Sequence, residues 1–419
     1  PRLTGQEPND PNVSVIGINS KDLPLTAEEL RQFLVSTKHL AKTSVYAKPD
    51  QPGDPQGLNL NELFSKELTG MMNAGADPSL VMQKMQAMIE IHGGYGDNIY
   101  AEIQAFAEFV ARMSLHIDFD IIHAHDWMTY PAGLYVAHLT QKPLIAHVHA
   151  TEFDRSGDHP NEYVYNLERH TYHNAAGVVT VSNYTRSILM SKYGVAGQQI
   201  FAVHNAAEFE LTADLTVERP IRERIVLFLG RITFQKGPDY FVRAAQKVIQ
   251  YEPNVRFVMV GTGDLYHRMI EMAADLGIGR YFFYTGFLKR PEIEKIFRMS
   301  DLYVLPSVSE PFGISALEAM VAGVPTIISR QSGVSEVIDN CIKVNFWDVD
   351  DIAQNIVQIL KDNVLHSQLA SGGRQEALNL SWDDSAKRIS GVYDTILKRV
   401  QKSKSKQSQS LPPNSDKGK

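Results

Sequence analysis

The sequence has very little cysteine and no long hydrophobic run, and each absence excludes a class of protein. Its one cysteine, Cys341, excludes an internal disulfide framework and is typical of a reducing compartment. No apolar stretch approaches the roughly 18 residues that a membrane helix needs. Residues 1–30 also lack the basic and then apolar layout of a secretion signal. We therefore expect a soluble, cytoplasmic protein with no transmembrane segment.

An excess of positive charge is also lacking. Lysine and arginine together number 41 against 48 aspartates and glutamates, which gives a net charge of -7. The chain has no basic field for a nucleic acid backbone, so any phosphate binding must be local. Its 419 residues, with 43% hydrophobic and 21% charged content, are sufficient to bury the cores of two ordinary domains.

From about Asp118 onward the chain repeats a short β-branched run, a turn and a helical stretch with apolar residues three or four apart. This βα alternation predicts two doubly wound parallel sheets in succession, each in a Rossmann-like domain. Ligands are then expected in one cleft between the domains, where the carboxyl ends of the strands face each other. The predicted strands are 121–124, 144–147, 177–181 and 200–203 in the first half, and 225–229, 256–260, 281–284, 302–305, 325–328 and 341–344 in the second.

Changes in period and composition predict the domain boundaries. The N-terminal domain spans 1–207, a polar linker spans 208–224, and the C-terminal domain spans 225–381. A helix at 382–401 is expected to return to the N-terminal domain, and the Ser/Lys/Gln tail at 402–419 is expected to be disordered. The less regular first part predicts a strand at 13–18 and helices at 59–73, 79–91 and 98–116.

A candidate anion site follows the first strand of the second half. That strand ends in Gly230-Arg231, and Lys236-Gly237-Pro238 opens the next helix, so two cations and a helix N-terminus converge. The chain has no Walker loop, and Gly261-Thr262-Gly263-Asp264 lacks the third glycine of a dinucleotide fingerprint. A diphosphate held by side-chain cations fits this pattern; the alternative is a pair of solvated loop charges.

Two carboxylates, Glu310 and Glu318, are separated by seven residues and follow the predicted strand at 302–305. Glu310 belongs to the loop, where it can hydrogen-bond sugar hydroxyls. Glu318 lies inside the following helix and can accept both hydroxyls of a ribose, and neither role needs a metal. The alternative is one charge near a helix N-terminus and one surface glutamate.

Histidines end two consecutive predicted strands, in His123-Ala124-His125-Asp126-Trp127 and in His147-Val148-His149. One interpretation is metal ligation by alternate residues, which share a face of a strand, as in a metallohydrolase. The other assigns His149 and Asp126 to sugar hydroxyls and the remaining histidines to packing.

Taken together, these motifs resemble the signature set of the family 4 retaining glycosyltransferases, over about residues 98–380. The first-half motifs are similar to those of glycogen and starch synthases and their relatives. The resemblance implies the GT-B fold. It rests on Gly230-Arg231 to Lys236-Gly237, Glu310-Pro311-Phe312-Gly313 with Glu318, Ser332-Gly333-Val334-Ser335-Glu336, the His123 to Trp127 element and residues 149–157.

The resemblance implies transfer of glucose from ADP-glucose or UDP-glucose to an α-1,4-glucan, without metal, further cofactor or protein nucleophile. Arg231 and Lys236 would neutralise the donor diphosphate, as a metal does elsewhere. Glu310 would contact the transferred sugar, and His149 would hold it from the other domain. The implied donor-binding positions are Gly230, Gly313, Ile314, Glu318 at the ribose, and the backbone amides of Gly333 and Val334; Asp126 is implied near the acceptor.

The glycogen synthase group opens with a strand and a Lys/Gly-Gly loop around the donor phosphates, and residues 1–50 supply nothing similar. Gly93-Gly94-Tyr95-Gly96-Asp97 is interpreted as an ordinary loop. We therefore expect the N-terminal domain to lack its first strand and Gly-rich loop. The alternative functions are a family 4 enzyme with a small sugar, sugar phosphate or lipid acceptor, or a catalytically weak nucleotide-sugar-binding module.

Overall fold

The structure, a computed structural model, describes residues 99–207 and 219–410. Within these ranges the chain forms two compact units, residues 99–120 with 131–142, and residues 121–130 with the remainder from 143 onward. Several predictions lie outside the described residues. They concern the strand at 13–18, the helices at 59–73 and 79–91, the loop at 93–97, the missing Gly-rich loop, most of the linker, and residues 411–419.

The smaller unit contains helix α1 (Ile99–Met113), a 3-10 turn (Ser114–His116) and nearly all of helix α2 (Tyr130–Thr140). Buried Ile103, Ala107 and Ala111 of α1 recur every four residues and so form one apolar stripe. Gln104 Nε2 donates to Tyr135 Oη of α2 at 3.0 Å.

The larger unit contains both parallel sheets. The first has the order β1-β2-β3-β4, and helices α3, α4 and α5 follow its second and third strands. Its strands are β1 (Ile122–His125), β2 (Leu144–Val148), β3 (Gly177–Thr180) and β4 (Ile200–Ala202), and its helices are α3 (Glu152–Ser156), α4 (Glu162–Asn174) and α5 (Asn183–Lys192).

The second sheet has the order β10-β9-β8-β5-β6-β7, so it is doubly wound and its order reverses between β5 and β8. Its strands are buried on both faces: Val226 and Phe228 of β5 enter one core cluster and Ile225 and Leu227 the other. Its elements are β5 (Arg224–Leu229), α6 (Pro238–Val248), β6 (Val255–Val260), α7 (Tyr266–Asp275), β7 (Phe282–Gly286), α8 (Arg290–Met299), β8 (Leu302–Leu305), α9 (Ile314–Val321), β9 (Thr326–Ser329), β10 (Ile342–Val344), α10 (Val349–Lys361) and α11 (Asn363–Leu378).

The predicted α/β class with two parallel sheets is confirmed. Each of the ten strands in the described residues corresponds to a predicted one, with ends that differ by at most two residues. The agreement has a physical reason, because strands covered by helices on both faces are continuous apolar runs that stand out from their polar turns.

The last helix, α12 (Trp382–Ser410), packs on the first sheet. Its Val392 and Ile396 share a buried cluster with Ile145, Val179 and Val203. The helix continues nine residues past the predicted end at 401, because Ser, Lys and Gln do not break a helix and the first proline comes at 412. Although α12 has 29 residues, none of the helices described combines the length and apolar content of a membrane span.

Asp301, just before β8, anchors the start of the second sheet and is only 6% exposed. Its carboxylate accepts the Ile225 amide at 2.8 Å and Arg224 Nη1 at 2.7 Å, and it also pairs with Arg219. Burial favours the neutral acid. The hydrogen bonds from Arg219, Ile225 and Arg224 outweigh burial and lower the pKa of Asp301.

We predict that Asp301→Asn lowers the free energy of unfolding by about 1–3 kcal/mol, because it leaves partners of a buried carboxylate unpaired. Urea denaturation at pH 7 measures this change. Asp350→Asn is the control, since Asp350 pairs with Lys247 while its side chain stays 71% exposed. The difference between Asp301→Asn and the native chain should shrink as the pH falls through the lowered pKa, because the native carboxylate is then protonated. An equal loss in both variants would contradict the anchor role.

Candidate functional site

Close approaches between loops shape the rim of the second sheet, at the carboxyl ends of its strands. A Cβ at Gly261 would lie 1.9 Å from the Gly230 carbonyl oxygen, and Gly261 has a φ of 129°. A Cβ at Gly237 would lie 2.1 Å from the Pro306 carbonyl oxygen, and its φ is 62°. Only glycine satisfies both conditions. The loop that follows β5 is therefore held directly against those that follow β6 and β8.

Lys236 and Glu310 form an ion pair across this rim, with Nζ 2.5 Å from Oε2. Their side chains are 16% and 7% exposed, so the pair is largely removed from water. Ser307 Oγ donates to the same glutamate oxygen at 3.2 Å. The structure thus brings together one residue predicted at the donor diphosphate and one predicted at the transferred sugar.

Arg231 lies at the same rim with an exposed side chain, and its Nη2 donates to Gln235 Oε1 at 3.3 Å. Gln235 is buried, and its carbonyl accepts the Val308 amide at 3.0 Å. This bond connects the segment between Arg231 and Lys236 to the loop of residues 306–313, which we call the Glu310 loop. Two cations therefore flank one loop, as predicted, and Arg231 presents a guanidinium with five N–H donors near solvent.

Helix α9 begins at this rim, directly after the Glu310 loop. Gly313 precedes its first turn with a φ of 113°, and no side chain of the described residues caps it. The Ala316 amide donates to the Gly313 carbonyl at 3.0 Å, which leaves the amides of Ile314 and Ser315 and the positive end of the helix dipole for an anion. Ile314, predicted to bind the donor, is 37% exposed in this turn. A Cβ at Gly313 would lie 3.3 Å from Glu310 Cγ, so glycine also leaves room for that glutamate.

Glu318 lies in the second turn of α9 and pairs with Arg290, Oε1 to Nη1, at 3.2 Å. Burial raises the pKa of Glu318, and Arg290 partly offsets that effect. As predicted, the two glutamates of this motif occupy a loop and the following helix. In this structure each has a cationic partner.

Gly333 and Val334 lie in a 3-10 turn (Gly333–Glu336) beside this loop, and their amides have backbone partners. The Gly333 amide donates to the Glu310 carbonyl at 2.9 Å, and the Val334 amide donates to the Phe312 carbonyl at 2.7 Å. Both donors are occupied by backbone carbonyls, and a role for these amides at the phosphates or sugar of a donor stays a prediction. They hold the Glu310 loop, and Val334 is fully buried.

The N-terminus of α5, from the first sheet, contacts the second sheet at this turn. Glu336 accepts the amides of Asn183 and Tyr184 at 2.9 and 2.6 Å, and His204 Nε2 lies 2.7 Å from it. Ser182, which caps α5, donates to the Pro311 carbonyl at 2.6 Å. A carboxylate at a helix N-terminus is favoured by both the free amides and the dipole. We call these contacts the α5 joint.

A second bridge links helix α3, which follows β2, to the residue before Glu310. Asp154 is fully buried and accepts Ser309 Oγ at 2.5 Å, and Tyr184 Oη lies 2.9 Å from the same hydroxyl. Burial raises the pKa of Asp154, while hydrogen bonds from Ser309 and Thr151 lower it. The Glu310 loop is therefore held from the first sheet on both sides.

His149 and Asp126 meet at the rim of the first sheet. Asp126 Oδ1 accepts the amides of His149 and Ala150 at 2.8 and 3.4 Å. Asp126 adopts a left-handed conformation with a φ of 59°, which is uncommon outside glycine, and burial raises its pKa. One oxygen of its carboxylate positions the His149 loop, and its place near an acceptor stays a prediction.

A buried charge network supports the same loop. Arg155 donates to Glu168 at 2.6 Å, to Glu152 at 2.9 Å and to the Ala150 carbonyl at 3.2 Å. Glu168 also accepts Tyr193 Oη at 2.5 Å. Burial raises the pKa of Glu168 to about 7, against the lowering effect of Arg155. The backbone that carries His149 is therefore firmly fixed.

The remaining histidines of both motifs are stacked beside His149. Nδ1 of His125 lies 2.9 Å from Nε2 of His149, and Nε2 of His123 lies 3.1 Å from Nδ1 of His147. Burial and the neighbouring imidazoles lower the pKa of His123 to about 4 and that of His147 to about 2. The pKa of His125 is lowered to about 4 for the same reasons. These three rings are therefore neutral at pH 7.

Sequence reasoning gave no role to Glu336, Ser309, Tyr184 or Asp154, although each contributes to the contacts between the sheets. Glu336 closes the motif that begins at Ser332, and Asp154 lies within residues 149–157. The available signal for Asp154 was Thr151 three residues earlier, which forms a capping box with it. The partners of Glu336 and Ser309 lie more than a hundred residues away, so no local pattern reveals them.

Two family models match the chain. One, described as glycosyl transferases group 1, matches residues 216–376, and the other, glycosyltransferase family 4, matches residues 88–211. An uncharacterized glycosyltransferase of Methanocaldococcus jannaschii is 30% identical over 300 residues, which cover 67% of this chain and 77% of that one.

Other relatives carry more specific names. A D-inositol 3-phosphate glycosyltransferase of Catenulispora acidiphila is 26% identical over 67% of this chain and 73% of its own. The glycogen synthase of Mycobacterium tuberculosis is 25% identical over 65% and 68%. Among solved structures, Anabaena HepE in complex with UDP-glucose has a TM-score of 0.60 at 17% identity, covering 83% of this chain and 98% of that one. This likeness establishes the fold.

We predict that Glu336→Gln lowers the free energy of unfolding by about 1 kcal/mol, since the amides of α5 lose a charged acceptor. Burial opposes ionisation of Glu336, but hydrogen bonds from His204, Asn183 and Tyr184 outweigh it and lower the pKa. The joint should therefore be strongest above the ordinary glutamate pKa and weaken as the pH falls through the lowered value.

Urea denaturation measures this loss, and Glu271→Gln on the exposed side of α7 is the matched control. Pairing Glu336→Gln with His204→Asn in a double-mutant cycle isolates the contact between them. Additive losses, or an equal loss in the control, would contradict the joint.

Proposed function

Because this chain belongs to family 4 of the glycosyltransferases and has the GT-B fold, we propose that it transfers glucose from ADP-glucose or UDP-glucose to an α-1,4-glucan with retention of configuration. The observation that carries the proposal is the buried Lys236–Glu310 ion pair, flanked by Arg231 and the open end of α9. The glycogen synthase relative supports the glucan, and the HepE complex supports a nucleotide-sugar donor. The proposal includes a cytoplasmic location, because Cys341 is a free thiol.

Donor binding begins, in this proposal, with a change of partner at Lys236. A diphosphate carries more negative charge than one carboxylate, so it competes with Glu310 for the ammonium group. Arg231 and the first-turn amides of α9 add positive charge at the same rim. Together they stabilise the nucleoside diphosphate as it leaves, so the reaction needs no metal at this position and no further cofactor.

Glu310, released from Lys236, then accepts hydrogen bonds from hydroxyls of the transferred sugar. Glu318 accepts hydrogen bonds from the hydroxyls of the ribose. His149 contacts the same sugar from the first sheet, on a loop fixed by Asp126 and Arg155. The acceptor attacks on the face that the diphosphate leaves, through an oxocarbenium-like state. The departing phosphate oxygen takes the acceptor proton, so no protein nucleophile is required.

A second candidate acceptor is a small phosphorylated polyol or sugar. The relatives named D-inositol 3-phosphate glycosyltransferase favour it, since one of them is 26% identical over 67% of this chain. The donor chemistry would be the same, and only the first-sheet side would differ. A catalytically weak nucleotide-sugar-binding module is the remaining alternative, and it predicts donor binding without turnover.

We predict that the chain releases nucleoside diphosphate from ADP-glucose or UDP-glucose when glycogen is present, and that a chelator leaves this rate unchanged. A coupled nucleotide assay measures release with each donor, with glycogen, with inositol phosphate and without acceptor. Release that depends on inositol phosphate alone would replace the glucan by the small acceptor. Nucleotide binding without release under every condition would support the binding module and reject the transferase proposal.

Two substitutions separate leaving-group stabilisation from sugar contact. We predict that Arg231→Ala lowers turnover about 100-fold, because it removes positive charge from the departing diphosphate. Glu310→Ala should lower turnover without loss of nucleotide affinity, since it removes the group that competes for Lys236. Steady-state kinetics and nucleotide titration measure both effects. The control is Arg243→Ala, an exposed arginine one turn into α6 that pairs with Asp239. Full activity in both test variants would refute the assigned roles.

A further inference from the structure

Four imidazoles share one face of the first sheet. His125 and His147 are register partners in the parallel β1–β2 pair, and His123 and His149 lie two residues from them in the chain. Because alternate residues of a strand point to the same side, the pairing places all four rings together. Ile145 lies on this face too and packs against Val392 and Ile396 of α12.

Three of these rings offer nitrogen atoms at the spacing of a metal site. The ligand atoms of His123, His125 and His147 all lie within 4.8 Å of one another. Adjacent ring centroids are 4.4 to 5.1 Å apart. Ligand nitrogens lie about 2.1 Å from a bound zinc ion, so modest ring rotations bring three of them onto one ion. His125 is exposed and provides an entry path from solvent.

An independent observation comes from His147, which is 8% exposed. Its Nε2 is buried and has no hydrogen-bond partner among the described residues. Its Nδ1 faces Nε2 of His123 at 3.1 Å, and two neutral imidazoles share at most one hydrogen at such a contact. Whichever tautomer His147 adopts, its Nε2 therefore keeps an N–H or a lone pair that no described residue satisfies.

Tyr393 of α12 provides the outer hydrogen bond that a metal-binding histidine usually makes through its other ring nitrogen. Its hydroxyl lies 2.6 Å from Nδ1 of His123, so it can accept that N–H and leave Nε2 with a lone pair toward the cluster. Asp126 does not join the set, since its Oδ1 accepts two backbone amides. A purely imidazole donor set favours zinc, copper, nickel or cobalt over magnesium or calcium.

We propose that His123, His125 and His147 bind one divalent ion of the zinc class, which ties β1, β2 and α12 together through Tyr393. The site lies on the first sheet and is distinct from the Lys236–Glu310 pair, so the ion has a structural role. It takes no part in neutralising the donor diphosphate.

The test uses the untagged full chain, stripped with a chelator and then titrated with Zn²⁺ or Co²⁺ in a calorimeter. We expect one ion per chain with a dissociation constant on the order of 1 µM or tighter. The visible absorption of bound Co²⁺ should report nitrogen ligation. The ion should also raise the midpoint of thermal unfolding, because it binds only the folded chain.

Variants locate the site. His123→Asn and His147→Asn should weaken binding more than about 100-fold, and Tyr393→Phe about 10- to 100-fold, since it removes only the outer hydrogen bond. His267→Asn, on the exposed side of α7, is the matched control and should bind like the native chain. If His147→Asn fails to fold, Tyr393→Phe still decides the question. The proposal is overturned if the native chain binds no ion below about 100 µM, or if binding is equal in Tyr393→Phe and His267→Asn.

Discussion

The carboxylate of Glu336 accepts the first-turn amides of α5, and the placement of the Glu310 loop depends on that contact. The turn that ends in Glu336 begins at Gly333, whose amide donates to the Glu310 carbonyl. On the other side, Ser182 at the start of α5 donates to the Pro311 carbonyl. One helix N-terminus of the first sheet thus fixes the loop on both flanks of Glu310. A small rotation of α5 would be transmitted directly to that residue, because each link is a single hydrogen bond.

The same geometry explains why two opposite charges lie buried together at the rim. An unpaired ammonium or carboxylate would be costly there, and the Lys236–Glu310 pair removes that cost. In the proposed reaction, a nucleotide sugar would replace this pair by two new ones, the diphosphate with Lys236 and the sugar hydroxyls with Glu310. The ion pair would then hold both side chains in place until the partners are exchanged.

The sequence predicted the strands well, because their apolar runs are local and are covered on both faces. It also predicted that Arg231, Lys236 and Glu310 belong to one rim, since consecutive strand ends of a parallel sheet meet there. It did not predict the hydrogen bonds that occupy the amides of Gly333 and Val334 and one carboxylate oxygen of Asp126. Each of these groups is used by a backbone partner, and such pairings depend on loop geometry that carries no periodic signal. The sequence assigned no role to Glu336 for a related reason. Its partners Asn183 and Tyr184 belong to α5, which packs with the other sheet and is distant in the chain.

The four histidines on one face of the first sheet, His123, His125, His147 and His149, take part in two separate proposals. Alternation along β1 and β2 places His149 beside His125, so the proposed sugar contact and the proposed metal site share one row of rings. The rings nearest α12 are the more enclosed: His147 is 8% exposed, and His123 contacts Tyr393. The outer end carries His149, on a loop fixed by Asp126 and Arg155. An ion at the inner end would stiffen the strands that present His149 at the outer end. Its contribution would be to the stability of the first sheet, and the proposed chemistry would remain with Arg231, Lys236 and Glu310.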